Sequence, residues 1–63
     1  MLKENLKAIR ERQKLSKSEL ARRCGIPART IEFIENGKTV YPRLDTLTIL
    51  AKELNVEISE LIK

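Results

Sequence analysis

Four side chains in the stretch ARTIEFIEN carry usable chemistry: Arg29, Glu32, Phe33 and Asn36. They recur at steps of three and four, so on a helix turning 100° per residue they share one arc. Ile31 and Ile34 fall on the opposite arc and must face a core. The outward arc then combines a guanidinium fork, a carboxylate, an amide and an aromatic ring, with Ala28 and Thr30 at its flanks. Such a set is equipped to bind. In a major groove of duplex DNA, a guanidinium forks onto guanine, a carboxylate accepts from a cytosine amine, and a ring lies against a thymine methyl. Two plainer uses stay open. Arg29 and Glu32 can pair on the surface, and Phe33 can fold over the helix to cover a neighbour such as Tyr41.

Composition removes several other chemistries. The chain has 63 residues, one cysteine (Cys24) and no histidine. A disulfide within the chain and a Cys/His metal site are both excluded, and no cofactor is expected. There is no Gly-rich phosphate loop and no Ser/His/Asp set, so an enzyme is not expected. Cys24 falls on the inner face of its helix and reads as core, not nucleophile. No apolar run approaches the ~20 residues of a membrane span, and MLKENLKAIR is too charged for a signal peptide. These features predict a reducing, cytoplasmic setting without membrane contact. Net charge is +4, and it is uneven: residues 1–43 hold eleven Lys/Arg against five acids, residues 44–63 two against four. That asymmetry fits a side that meets a polyanion, or else ordinary solubilising charge.

The elements that must position these residues are all helical. Leu2, Leu6 and Ile9 predict a helix over about 2–13. SKSE is a capping box opening a second over 17–24, with Leu15 and Leu20 as its hydrophobic staple. Gly25 stops that helix, because glycine takes the left-handed conformation without steric cost. Only Ile26 and Pro27 intervene before a third over 28–35, ended by ENG. The loop KTVYPR follows, and then a fourth helix over 44–54 with Leu44, Leu47, Leu50, Ala51 and Leu54 as its buried stripe. Asn55 is a left-handed terminator, and a short fifth helix covers 58–62. The expected fold is a compact all-α five-helix domain spanning 1–63, with a tight helix–Gly–helix connection at its centre.

Cations flank the outward helix. Lys17 sits in the first turn of the second helix, where amides and dipole also favour phosphate. Asn36, Lys38, Thr39 and Arg43 follow the third helix, and Thr30 lies on its edge. These are phosphate-contacting types on both sides of a helix free to read bases. At this point the run LSKSELARRCGIPARTIEFIENGKTVYPRLDTLTILAKELNV resembles the DNA-binding domain of lambda-type phage repressors, Cro proteins and their bacterial relatives. The likeness covers nearly the whole chain and rests on several motifs together.

The resemblance implies that the third helix docks in the major groove, with Ala28, Arg29, Glu32 and Phe33 reading bases; that geometry is the family's own. It implies phosphate contacts from Lys17, Asn36, Lys38 and Arg43. It also implies an internal pair between Arg10 and Glu35, with Arg10 able to touch phosphate as well. Three departures concern Pro27, which offers no capping side chain, the unusual Phe33, and Glu32, which repels phosphate. The function implied is sequence-specific binding of double-stranded DNA by a transcriptional repressor or regulator, natural or engineered on this scaffold. The alternative is a protein-interaction module using Phe33 and Arg29. A homodimer on a two-fold site is a further option, joined through Ile49 or the apolar arc of the fifth helix, unless these are a lone exposed residue and a core cap.

Overall fold

A computed structural model describes residues 1–63. Its helices are α1 (Leu2–Arg12), α2 (Lys17–Cys24), α3 (Ala28–Glu35), α4 (Leu44–Leu54) and α5 (Ile58–Ile62). No strand is present, and the elements agree with the sequence-based limits to within a residue.

Three of the helices stop in the same way. In each, a left-handed residue lets its own N–H and the next one turn back onto the last turn's carbonyls, the Schellman arrangement. At the end of α2, Gly25 (φ 71°) donates to Arg22 and Ile26 to Ala21. At the end of α4, Asn55 (φ 59°) donates to Lys52 and Val56 to Ala51. At the end of α1, Lys14 (φ 59°) donates to Glu11 and Leu15 to Arg10. The apolar residue after each stop, Leu15, Ile26 or Val56, then packs onto the core. Lysine in that conformation costs about 1–2 kcal/mol. This is why the α1 stop is not visible as a glycine or asparagine in the sequence. The α2 start matches the capping box: Ser16 Oγ accepts from the Glu19 amide at 3.0 Å, and Glu19 Oε1 accepts from the Ser16 amide at 2.8 Å.

Apolar residues from all five helices meet in one core. Leu6, Leu20, Ile31, Ile34, Leu50, Leu54 and Leu61 are its fully buried side chains. Burying each of these stabilises the fold by about 1.5–3 kcal/mol. α3 packs between α1 and α2, α4 lies between α2 and α5, and α5 closes against α1. α1 and its C-cap residue Gln13 also supply polar side chains to carbonyls that helix geometry leaves unsatisfied. Asn5 Nδ2 donates to Leu61 and Lys63, and Gln13 Nε2 to Leu54.

Three expectations for α4 are corrected, the first being Leu47, which is only half-buried and stands outside the core cluster. Leu44 is 71% exposed, because it stands in the first turn, ahead of the part of α4 that the core covers. Ile49 does not point away: it packs against the core, and its carbonyl faces Cys24 Sγ at 3.9 Å. With helices on two sides of α4, its covered arc is wider than one stripe. Ile49 is half-buried, and its remaining surface lies beside the exposed Leu44 and Thr48. Cys24 is buried, and burial pushes its thiol pKa up, with Glu53 adding to the effect.

Candidate nucleic-acid interface

α3 is fixed in rotation by Ile31 and Ile34, both fully buried. Arg29, Glu32 and Asn36 are consequently exposed on the far side. The ion pairs of the molecule are Met1–Glu4, Arg10–Glu11, Arg10–Glu35 and Arg43–Asp45. Arg29 and Glu32 belong to none of them, so both keep their hydrogen-bonding capacity. Ala28 is half-buried and packs against the core, which leaves its methyl at the margin of the outward face. Thr30 is half-buried on the same margin, and its amide donates to the Pro27 carbonyl at 3.0 Å.

Phe33 is half-buried rather than free, and its cover is not Tyr41, which is 93% exposed. The Nζ of Lys38 stands 5.3 Å from the ring centroid. A cation over an aromatic face at that distance contributes about 0.5–1 kcal/mol at an exposed site. The loop is shaped to deliver it. Asn36 Oδ1 accepts from the Lys38 amide at 3.1 Å, Gly37 turns with φ 83°, and the Thr39 amide donates to the Phe33 carbonyl at 3.0 Å. Asn36 keeps its Nδ2 hydrogens for an outside acceptor. Beside the ring, Pro27, Arg29, Thr30, Phe33 and Thr39 surround a shallow depression of about 310 Å³. Arg29 and Phe33 thus line one concave spot.

The flanking cations stand as follows. Lys17, half-buried in the first turn of α2, lines a polar cleft with Lys7, Glu32, Glu35 and Asn36. Lys38 and Arg43 are exposed and Thr39 is half-buried. Arg43 meets Asp45 at 3.3 Å, with both side chains largely in solvent. Such a pair contributes little and exchanges readily for a phosphate.

Arg10 stands apart from these outward cations as an internal brace. It is only 6% exposed, and its guanidinium is turned into the protein. Nε and Nη2 donate to the two Glu35 oxygens at 2.7 and 2.9 Å, and Nη1 donates to the Leu15 carbonyl at 2.7 Å. The hydrogen bonds that Arg10 donates to Glu35 raise its pKa further. Arg10 ties α1, the α1–α2 turn and the end of α3 together through three of its five N–H groups, and only 6% of the residue reaches the surface. The sequence missed Lys7 beside Lys17 and Asp45 beside Arg43. The i+2 spacing of Arg43 and Asp45 was a legible hint; the approach of Lys7 was not.

No helix is long and apolar enough to cross a membrane. A helix-turn-helix family model matches residues 6–61. The chain is 42% identical over 53 residues to the HTH-type transcriptional repressor RghR of Bacillus subtilis (strain 168), covering 84% of this chain and 39% of that protein. It is 38% identical over 61 residues to an uncharacterized HTH-type transcriptional regulator of Coxiella burnetii, covering 97% of this chain and 28% of that protein. It is 42% identical over 55 residues to the uncharacterized HTH-type transcriptional regulator y4dL of Sinorhizobium fredii, covering 87% and 28% respectively. The chain therefore spans well under half the length of these relatives.

Proposed function

The chain belongs to the helix-turn-helix family, and on that premise we propose that it binds double-stranded DNA sequence-specifically and regulates transcription by occupying its site. The observation that carries this is the α3 face. Arg29 and Glu32 are exposed and unpaired there, beside a half-covered Phe33, with cations on both sides. α3 lies in the major groove. Arg29 forks onto a guanine, Phe33 lies against a thymine methyl, and Glu32 accepts from a cytosine amine. Lys17 holds backbone phosphate on one side, and Asn36, Lys38, Thr39 and Arg43 hold it on the other. The mechanism is binding without catalysis, in the cytoplasm, and the repressor name of one relative favours repression over activation.

The test is duplex affinity measured by fluorescence anisotropy against salt, followed by selection from a random duplex library. The three cations Lys17, Lys38 and Arg43 together give a log–log slope of about −2.7. On the selected site, Arg29→Ala costs about 1–3 kcal/mol and relaxes preference at one base pair. A flat salt response refutes DNA binding and favours a protein partner for the Phe33–Arg29 face. Sedimentation with and without the selected duplex tests whether two copies bind a two-fold site.

A further inference from the structure

Lys3 and Lys7 are one turn apart on α1, so their side chains leave the same side of the helix. Both are exposed, and neither belongs to any ion pair. Like charges at this spacing repel and weaken a helix, so an outside anion is the natural complement. The fold gives the pair a definite place. Lys3 Cδ and Nζ lie 3.5 and 3.6 Å from where a Cβ would stand on Gly37. Lys7 lines the polar cleft that also holds Lys17 and Asn36. In that cleft Glu35 is already neutralised by Arg10, which leaves Glu32 as the only free carboxylate against two lysines. α1 thus fills the gap between the first turn of α2 and the loop after α3.

From this placement we infer that Lys3 and Lys7 form a third phosphate-contacting arm, reaching the DNA backbone where it passes the C-terminal end of α3. The inference rests on the DNA-binding reading above. The arm adds affinity without reading sequence, because a phosphate carries no base identity. It also gives Glu32 a cationic neighbour, which lets a carboxylate sit near DNA.

The experiment measures duplex affinity between 50 and 200 mM salt for wild type, Lys3→Gln, Lys7→Gln and the double variant. Melting temperatures are recorded in parallel. Each substitution should shallow the slope by about 0.9, making affinity over that salt range about 3.5-fold less salt-sensitive per lysine. Relative preference among base-substituted duplexes should not move, and melting temperature should stay near wild type. Wild-type binding with an unchanged slope in the double variant overturns the arm alone. So does a lower melting temperature with an unchanged slope, which would make the lysines structural partners of the α3 terminus. A wild-type chain that binds no duplex overturns the DNA reading and the arm with it.

Discussion

Replacing Arg10 with methionine separates bracing from DNA contact. The side chain is 6% exposed and gives all its engaged donors to Glu35 and the Leu15 carbonyl. The Glu35 side chain is itself 4% exposed. Arg10→Met therefore strands a buried carboxylate and a buried carbonyl at once. Breaking a buried pair from one side costs about 3–5 kcal/mol. The whole stability of a domain this size is roughly 3–9 kcal/mol. At about 4–8 °C per kcal/mol, the melting temperature should drop by more than about 12 °C.

The double variant Arg10→Met, Glu35→Leu removes both charges and should recover most of that loss, since an apolar pair of similar volume often replaces a buried ion pair at little cost. Thermal and urea unfolding followed by circular dichroism measure the cycle. The refolded double variant is then assayed on DNA, where its salt slope should equal wild type. The reasoning is refuted in either of two ways: if Arg10→Met costs under about 1 kcal/mol, or if the double variant loses about 0.9 of slope, the mark of one phosphate contact.

Three other outcomes follow from the same geometry. Lys38→Met should lose about 0.9 of salt slope and also change preference at the base pair that Phe33 meets; combining it with Phe33→Ala in a cycle of duplex affinities should give a non-additive pair. Asp45→Asn frees Arg43 and removes a like charge from the phosphate side, so duplex affinity at low salt should rise by a few-fold with melting temperature little changed; unchanged affinity would place Arg43 off the backbone. The Glu19 carboxyl is held below its usual range by the Ser16 amide and then the Ser16 hydroxyl, so its share of stability is full above the unfolded value near ~4.3 and is lost as pH falls through the lower folded value. Glu19→Gln should flatten that part of an acid titration followed by circular dichroism.

What was legible in the sequence was whatever depends on near neighbours along the chain. The Ser16–Glu19 box, the Gly25 and Asn55 stops, and the rotation of α3 set by Ile31 and Ile34 all follow from spacing within one or two turns. What was not legible depends on approach in space. Lys14 takes a left-handed conformation against its own preference because Leu15 must enter the core. Leu44 leaves the apolar stripe because the helix outruns its neighbours, and Ile49 joins the core because α2 lies on its side. Arg10 was read both as a brace and as a phosphate contact. Its burial, with 6% of the residue exposed, favours the brace.

The placement of charge follows a division that these residues make physical. Arg10 and Glu35 set the angle between α1 and the end of α3, and they do so with bidentate geometry that tolerates little slack. Arg29, Lys38 and Arg43 do the opposite: they are exposed, weakly held and cheap to reorient. A reading face needs both kinds. If α3 rotated freely, Phe33 and Arg29 would not meet a given base step; if the outer cations were locked into internal pairs, binding would have to break them. Phe33 sits at the boundary, with Lys38 over its ring and Arg29 lining the same depression. If α3 reads bases as proposed, a ring in that position couples how tightly the loop holds the backbone to which base lies under the helix, so Lys38→Met should move affinity and preference together, whereas Lys3→Gln and Lys7→Gln should move affinity alone.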